Sequence, residues 1–406
     1  MTAYRPYPFW GAQVVSWTGS SLQSAVLPLW LYQLTGSTRL ALGGFVTDCL
    51  IRALVSPVVG ALVRTRTPFR VLLLGDAIAF LATAALAATV RDASLVAAVY
   101  PLTAVTALAM QANQLALQAL VPRLVEQGRL AAVNGAMQTC LSAIAMVAPP
   151  LAGVLGALVD WRYLILLNAV SFLVSLLLSY WALSQPATPP PADGRTAAEH
   201  PLRTVVRHWR EFRSGGAAEF VCAESLLFLC FGASQALFYG AIIEAGPREG
   251  GVSFGLLLLG SGAGSVCGGL ALRKLGPAPR LVIVVAGVLS LAGPALVVTG
   301  LHTVIAVAAV GTAMVGASGN LLIGGVTTAV QQREDAERLA VTLGLRRGLS
   351  SLAQLGCYLW TIGVAAVTGF QAVYLTAGAA ACLVALFYYR SASRTGRVAA
   401  TLEEAL

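Results

Sequence analysis

The chain has 406 residues, of which 57% are hydrophobic and only 11% are charged. A soluble domain carries about 25% charged residues, so this composition excludes a soluble globular protein and predicts a polytopic membrane protein. The net charge of +9 does not indicate nucleic-acid binding, because the basic residues are spread over short loops and form no single patch. All seven cysteines lie in apolar runs without a Cys-x-x-Cys or Cys/His cluster, so we expect neither a disulfide framework nor a metal site.

Twelve apolar segments follow one another along the chain. Each is long enough to cross roughly 30 Å of hydrocarbon. In lipid a spanning segment must satisfy its own backbone hydrogen bonds, so each is predicted to be a helix, and their continuous apolar character excludes a β-barrel. The segments lie near 9–34, 40–63, 70–90, 93–120, 134–158 and 162–184 in the first half, and near 217–243, 252–272, 281–299, 302–330, 341–366 and 370–390 in the second.

An internal repeat relates the two halves. The charged stretch 120–135 recurs as 329–344, and residues of the loop after the second segment recur at the same offset of 209 positions. Two loops that share one offset indicate two copies of one unit. The matching pairs are Val121 and Val330, Arg129 and Arg338, Leu130 and Leu339, Ala131 and Ala340, Gly135 and Gly344, Gly60 and Gly269, and Arg64 and Arg273.

The repeat and the segment count together predict an all-α integral membrane protein with twelve transmembrane helices. We expect two pseudo-symmetric six-helix bundles at 1–184 and 217–392, a cytoplasmic central loop at 185–216 and a cytoplasmic tail at 393–406. The charged stretch 120–135 then connects the fourth and fifth helices on the cytoplasmic side, and its copy connects the tenth and eleventh.

The central loop contains a predicted amphipathic helix from Pro201 to Arg213. Its apolar side chains share one helical face, while its arginines lie mostly elsewhere. We expect this helix to lie on the anionic inner leaflet and to tether the two bundles, with a regulatory role as the alternative. The apolar residues are Leu202, Val205, Val206, Trp209 and Phe212, and the basic residues are Arg203, Arg207, Arg210 and Arg213.

The distribution of basic residues predicts the orientation in the membrane. An even number of spans places both termini on one side. The loops of the opposite side carry few of the 26 Lys and Arg residues, so the positive-inside rule places both termini in the cytoplasm. The expected location is the cytoplasmic (inner or plasma) membrane. The basic residues of the opposite side are Arg39, Arg91, Arg162 and Arg248, and Arg52 lies within a span.

Six helices, a long loop, six more helices and repeated connecting loops resemble the major facilitator superfamily. The segment from Ser16 to Gly36 looks like the first helix of the branch that holds the enterobactin exporter and macrolide efflux pumps. The pattern Leu120-Val-Pro, Arg129-Leu and Asn134 looks like the sequence after the fourth helix of that branch. The resemblance implies alternating access between two bundles in a monomer, a small-molecule substrate, energy from an ion gradient and no cofactor.

Two motifs of the superfamily are altered. The loop after the second helix usually reads Gly-x-Leu-Ala-Asp-Arg, and here Arg64 stands where the acid is expected. That acid normally helps to hold the two halves together on the cytoplasmic side, so its loss implies a gate that is either differently balanced or weakened. The antiporter motif of the fifth helix keeps Pro149 and Gly153, which favours export. The full set of expected gate and structural residues is Gly60, Arg64, Arg129, Pro149, Gly153, Gly269, Arg273 and Arg338.

Charged residues inside the spans are candidates for proton coupling, because an ionisable group in the membrane is costly. Asp48 and Arg52 lie at i and i+4 of the second helix and therefore share one face. They are either a structural ion pair or a pair in which protonation of Asp48 frees Arg52. Glu224 in the seventh helix is a second candidate, with a position near water at the cytoplasmic end as the alternative. Asp76 in the third helix is interpreted as structural.

Uncharged polar residues at similar depth are candidates for a substrate cavity between the bundles, although a single Gln in a helix more often joins two helices. Arg346 and Arg347 are expected to open the eleventh helix and to reach the headgroups; the alternative is that one of them faces the cavity, which would favour anionic substrates. The cavity candidates are Trp17, Ser20, Ser21, Gln23, Gln111, Asn113, Gln114, Gln138, Gln235, Tyr239, Asn320 and Gln354.

These observations together predict a secondary transporter, not an enzyme. No phosphate-binding Gly-x-x-x-x-Gly-Lys-Ser/Thr motif occurs, so an ion gradient is the expected energy source. Proton-coupled export of a drug or secondary metabolite is the main hypothesis. The alternatives are an importer of the same fold, and a membrane sensor or scaffold that has lost transport. A membrane-embedded enzyme would need clustered acids or histidines, and the sequence has none.

Overall fold

The protein is described by a computed structural model in which nearly all described residues are helical. The structure describes residues 6–35, 38–65, 67–89, 96–183, 201–214, 224–225, 228, 256–257, 259–274, 287–298, 305–368 and 370–394. The helices within these ranges are α1 (Pro6–Thr35), α2 (Thr38–Thr65), α3 (Pro68–Thr89), α4 (Val96–Leu124), α5 (Leu130–Leu158), α6 (Trp161–Leu183), α7 (Pro201–Ser214), α8 (259–274), α9 (Gly287–Val298), α10 (Ile305–Arg333), α11 (Ala336–Thr368) and α12 (Phe370–Arg394).

Within the described ranges, six stretches are long and apolar enough to cross a membrane. Two shorter apolar helices, Gly287–Val298 and Ala372–Phe387, lie in predicted spans nine and twelve. Predicted span seven, 217–243, lies almost entirely outside the described residues. The predicted all-helical membrane fold is confirmed. The six long stretches are Val46–Arg64, Pro68–Thr89, Val96–Leu124, Gln127–Ala148, Trp161–Ala182 and Ala306–Gln332.

The connector between α4 and α5 is shorter than the sequence predicts. α4 continues to Leu124, and a single 3-10 turn, Gln127–Arg129, precedes α5 at Leu130. The expected link over 120–135 is wrong at both ends, because a helix can continue beyond the apolar layer where good helix formers such as Leu, Gln and Arg follow. For the same reason α11 begins at Ala336, five residues before its apolar run.

The first of two compact units contains residues 1–126, 147–215 and 334–348. Within it, α3 packs against α4 and α6, α1 packs against α6, and α2 packs against α4. A small buried cluster of Ala79, Ala109 and Phe172 fills the space where α3, α4 and α6 meet. Small residues let the helix backbones approach closely, which is the usual source of packing energy between helices in lipid.

The second unit contains residues 127–146, 216–333 and 349–406. Its described core includes Ala292, Leu296, Val315 and Val373, from α9, α10 and α12. Each unit therefore combines most of one half of the sequence with the opening segment of one helix, α5 or α11, from the other half. This assignment matters for function, because it brings α11 next to α2 in the first unit and α5 next to α8 in the second.

Candidate functional site

The ion pair predicted in the second helix is present in α2. Arg52 Nη2 contacts Asp48 Oδ2, and the two side chains are 28% and 29% exposed. Arg52 lies six residues after Val46, the first residue of the apolar span, or about 9 Å along the helix. The pair is therefore inside a membrane-spanning segment and is only partly covered by protein.

The opening segment of α11 packs closely along α2. A methyl group placed on Gly60 would lie 2.5 Å from the carbonyl oxygen of Ala340, and one placed on Gly344 would lie 2.5 Å from that of Ser56. Further along, a methyl group placed on Gly348 would lie 3.1 Å from the Pro57 side chain and 3.2 Å from the carbonyl oxygen of Ala53. The contact runs toward lower residue numbers on α2 as they rise on α11, so the two helices are antiparallel here.

This packing brings one arginine of α11, Arg347, near the α2 pair. Arg347 interacts electrostatically with Cys49, the neighbour of Asp48 in sequence. Arg346 is only 5% exposed and lies ten residues after Ala336, about 15 Å along the helix. The expectation that Arg346 opens the helix and reaches the headgroups is therefore wrong, because α11 starts earlier than its apolar run. The described part of the first unit thus carries Asp48, Arg52 and Arg347 in one region.

A second polar cluster in the first unit joins α1 to α6. Asn168 Nδ2 donates a hydrogen bond to Gln23 Oε1 over 2.6 Å. Ser171 Oγ donates a hydrogen bond to Asn168 Oδ1 over 3.0 Å. Gly19 faces these two side chains, and a Cβ at its position would overlap both of them. Gln23 is thus occupied by an interhelical hydrogen bond. Sequence reasoning missed Asn168, since a single Asn in an apolar segment gives no sign of its partner.

Asp76 lies in a third cluster, between α3, α4 and α6. Asn113 Nδ2 donates to Asp76 Oδ1 over 2.8 Å, and Ser175 Oγ donates to Asp76 Oδ2 over 2.9 Å. All three side chains are buried. Asn113, which the sequence offers as a cavity residue, here satisfies one oxygen of a buried acid, so the geometry agrees with the structural interpretation of Asp76.

The second unit holds Asn320 of α10 at the meeting point of three helices. Its Nδ2 donates to Ser142 Oγ of α5 and to the carbonyl oxygen of Ser265 of α8, the latter over 2.8 Å. It also lies 3.5 Å from the carbonyl oxygen of Gln138. The structure therefore brings Asn320 together with Gln138, another cavity candidate, through the backbone of α5.

A further buried cluster in this unit lies near the start of α5. Asn134 Nδ2 donates to Gln331 Oε1 over 2.7 Å and to Thr328 Oγ1 over 2.9 Å. All three residues are buried. The sequence indicated Asn134 only through a family resemblance and missed both partners, which lie almost two hundred positions away in α10.

The remaining cavity candidates differ in their surroundings. Trp17 is buried in α1, and the hydroxyl of Ser20 donates to the carbonyl oxygen of Ser16 over 2.8 Å. Gln111 of α4 is buried, and its Nε2 has no hydrogen-bond partner among the described residues. Ser21, Gln114 and Gln354 are half-buried. Gln235 and Tyr239 lie outside the described residues.

A polar residue that sequence reasoning did not single out behaves like Gln111. Gln13 of α1 is buried, and its Nε2 also has no hydrogen-bond partner among the residues that the structure describes. A buried amide donor without a protein partner is uncommon, because its desolvation is costly. Such donors are the positions in the first unit where a water molecule or a polar substrate atom would be stabilised. The only sign of Gln13 in the sequence is a single Gln near the start of an apolar segment.

Glu224 lies in a short described helical stretch of the second unit and is 2% exposed. Of the expected gate residues, Gly269 packs against Thr139 and against the backbone of Gly135. Pro149 and Gly153 lie within α5, and the structure describes only their backbone. The four arginines of the gate set are exposed or half-buried at helix ends; they are Arg64, Arg129, Arg273 and Arg338.

No group of three or more His, Cys, Asp or Glu side chains that could hold a metal ion occurs in the part of the chain that the structure describes. The polar clusters that join helices consist instead of amides and hydroxyls with one acid, Asp76. Amides and hydroxyls join helices and bind polar organic molecules, whereas a carboxyl group such as that of Asp48 can also bind a proton.

Known structures share this architecture. The human organic anion transporter MFSD10 (TETRAN) superimposes with a TM-score of 0.72 at 17% identity, over 94% of this chain and 97% of that chain. A bacterial homologue of the iron transporter ferroportin in its outward-facing state gives a TM-score of 0.72 at 18% identity, over 95% of this chain and 99% of that chain. At such identities the similarity establishes the fold alone.

At the level of sequence, no curated protein matches this chain. The family described as the Major Facilitator Superfamily matches residues 9–356, which is most of the chain. The match extends from α1 into α11 and so includes both copies of the internal repeat. The chain is a membrane transport protein that belongs to the Major Facilitator Superfamily.

Proposed function

We propose that this transporter exports a small organic molecule in exchange for protons, and that Asp48, Arg52 and Glu224 couple the two movements. The observation that carries the proposal is the partly exposed Asp48–Arg52 pair inside a membrane-spanning segment. A partly exposed pair remains accessible to a proton or to substrate, and charged groups inside membrane-spanning segments mark ion and substrate pathways.

The proposed coupling step uses the charge of Asp48. When Asp48 is ionised it holds Arg52 at i+4. When Asp48 takes up a proton, the attraction disappears and Arg52 becomes available to another anion. The electrostatic interaction of Arg347 with neighbouring Cys49 supports a role for α11 in this exchange, since Arg347 adds a positive charge beside the pair. Opposite charges within a few ångströms stabilise each other strongly where water is scarce.

Glu224 is the second proposed proton carrier. Its burial in the second unit supports the assignment, because ionisable groups buried inside a membrane bundle mark ion and substrate pathways. An acid in each unit would allow proton uptake and release to follow the alternating exposure of the two sides. We propose that Glu224 exchanges its proton in a different step of the cycle from Asp48.

The proposed substrate is an organic molecule with hydrogen-bond acceptors. Gln13 and Gln111 each offer a buried amide donor, and Trp17 offers an aromatic surface. The Asn168–Gln23 and Asn113–Asp76 hydrogen bonds favour structural roles for Gln23 and Asn113. We still assign the chain, as a proposal, to the branch that holds the enterobactin exporter and macrolide efflux pumps. Membership of that branch favours export.

Transport by purified protein in proteoliposomes tests the proposal. The probes are ethidium, a cation, and carboxyfluorescein, an anion, each with an imposed pH gradient. We expect gradient-driven accumulation that disappears when nigericin collapses the gradient. Asp48→Asn and Glu224→Gln should each abolish gradient-driven accumulation, while exchange of probe without a gradient persists. Asp76→Asn is the matched control, because it also removes a membrane-embedded acid.

Two results would overturn the proposal. Accumulation that survives collapse of the pH gradient would exclude proton coupling. Full gradient-driven transport by both Asp48→Asn and Glu224→Gln would exclude the named carriers. The direction is tested separately in cells, where an exporter lowers the internal probe concentration and an importer raises it.

A further inference from the structure

Helix α7 presents three different faces. Thr204 and His208, which lie at i and i+4, are 2% and 7% exposed, and α7 packs against α2. Val206 is 57% exposed and Trp209 is 37% exposed. An amphipathic helix of a soluble protein would bury its apolar residues against the protein, whereas α7 buries Thr204 and His208 and leaves Val206 and part of Trp209 exposed.

The basic face of α7 adjoins the uncovered apolar face. Arg203 and Arg207, at i and i+4, are exposed, and at 100° per residue they follow Val206 around the helix. An exposed strip of Val and Trp bordered by Arg is the arrangement of helices that lie in the interface of a membrane. There Trp occupies the headgroup level and Arg binds phosphate with its planar guanidinium group.

The connectivity places α7 at the level of a membrane surface. Successive spans cross in alternating directions, so α2 and α6 end on the same side. The apolar span of α2 ends at Arg64 and that of α6 ends at Ala182, and the chain then leads to α7 at Pro201. A helix that follows α6 and packs on α2 from this side meets α2 where it leaves the apolar layer.

We propose that the exposed surface of α7 formed by Arg203, Val206, Arg207 and Trp209 binds anionic phospholipid of the membrane surface. Val206 and Trp209 enter the boundary between headgroups and acyl chains, while Arg203 and Arg207 bind the lipid phosphates. Since α7 packs against α2, a lipid held by α7 is linked mechanically to the helix that carries Asp48 and Arg52. Lipid bound to α7 thereby modulates transport. This effect does not depend on which substrate or coupling ion the transporter uses.

A soluble partner protein is the competing occupant of this surface. The charge pattern favours lipid, because an anionic headgroup layer satisfies both arginines while acyl chains cover Val206 and Trp209. If the surface bound a soluble protein instead, Trp209 would not contact the acyl chains in a bilayer that contains only lipid and the transporter. Contact between Trp209 and lipid therefore distinguishes the two occupants.

The test uses the full-length protein in nanodiscs and needs no transport measurement. Trp209 fluorescence is obtained as the difference between the native chain and Trp209→Phe. Quenching is then measured with brominated phosphatidylglycerol, which is anionic, or brominated phosphatidylcholine, which is neutral, at equal mole fractions. We expect quenching by both lipids, with a clear preference for phosphatidylglycerol.

The variant with Arg203→Gln and Arg207→Gln should lose this preference. Each arginine near an anionic surface contributes enough that the two together shift lipid binding by roughly 30-fold. The matched control changes Arg70→Gln and Arg123→Gln, two exposed arginines at helix ends outside α7, and should keep the preference. Absence of Trp209 quenching in every lipid, or equal quenching by both lipids in the native chain, would overturn the proposal.

Discussion

Buried polar side chains join helices at several points in this membrane protein. Asn168 with Gln23, Asn113 with Asp76, Asn320 with Ser142 and Asn134 with Gln331 each connect two different helices. An asparagine suits this role because its amide both donates and accepts, and an unpaired polar group in hydrocarbon costs several kcal/mol. The partly exposed pair of Asp48 and Arg52 differs from these clusters, since both of its members lie within one helix.

Asp76 gives the residue-scale prediction. Asp76→Ala removes the acceptor for Asn113 Nδ2 and Ser175 Oγ, and we expect it to lower the free energy of unfolding by roughly 1–2 kcal/mol. Asp76→Asn keeps the shape, since its amide oxygen accepts from Asn113 and its amide nitrogen donates to the Ser175 hydroxyl, so it should be close to native. Thermal unfolding in detergent measures both variants. A stable Asp76→Asn protein without gradient-driven transport would assign Asp76 to proton coupling instead.

At the scale of the element, α8 and α10 are held together by a regular glycine pattern. Gly260, Gly264 and Gly268 of α8 each face the backbone of an alanine in α10, at Ala309, Ala313 and Ala317 in the same order. The two helices are therefore parallel, and each helix contributes a small residue to the contact at every fourth position. Because lipid supplies no hydrophobic force between helices, such close backbone approach is the main source of their association.

Gly264→Ala tests this packing. The added methyl group would overlap the carbonyl oxygen of Ala313, which belongs to backbone and cannot rotate away. Overpacking of this kind costs about 1–3 kcal/mol, which thermal unfolding should report as a lower midpoint. Gly356→Ala in α11 is the matched control, because nothing lies within 4 Å of the position for a new Cβ. Equal unfolding midpoints for the two variants would contradict the close packing of α8 and α10.

The internal repeat acquires a physical meaning at the scale of the whole molecule. Four repeated glycines form two equivalent contacts: Gly60 lies against Gly344 in the first unit, and Gly269 lies against Gly135 in the second. Each contact joins a residue of one repeat copy to a residue of the other. The alternating-access cycle proposed for this chain would require such contacts between helices of different copies to form and separate.

Gly60→Ala and Gly269→Ala test the equivalence of the two contacts. Each added methyl group should destabilise its contact by about 1–3 kcal/mol, which changes an equilibrium roughly 5- to 150-fold. We therefore expect both variants to slow probe transport in proteoliposomes to a similar extent while the fold persists. Gly44→Ala and Gly287→Ala are controls with nothing within 4 Å of the new Cβ. Native transport rates in both contact variants would show that these glycines serve packing alone.

The sequence by itself determined the all-helical membrane fold, the two-copy organisation and the Asp48–Arg52 pair. These features depend on local quantities: apolar length, a fixed offset between similar loops, and a spacing of four residues in one helix. Helix ends were less predictable, as α4, α5 and α11 show, because a helix need not stop where the apolar layer stops.

Only the tertiary structure decided the partners of the buried polar residues and the face by which α7 docks. Asn134 binds Gln331 because α5 packs against α10, and Asn168 binds Gln23 because α6 packs against α1. The periodicity of a helix does not predict which other helix it packs against. The sequence pattern of α7 distinguishes apolar from basic residues, but it does not predict the burial of the polar residues Thr204 and His208. Residue spacing and apolar length along the chain determine which segments form helices. Which helices pack together depends also on the buried polar side chains, which must find hydrogen-bond partners in one another because no water is present in hydrocarbon.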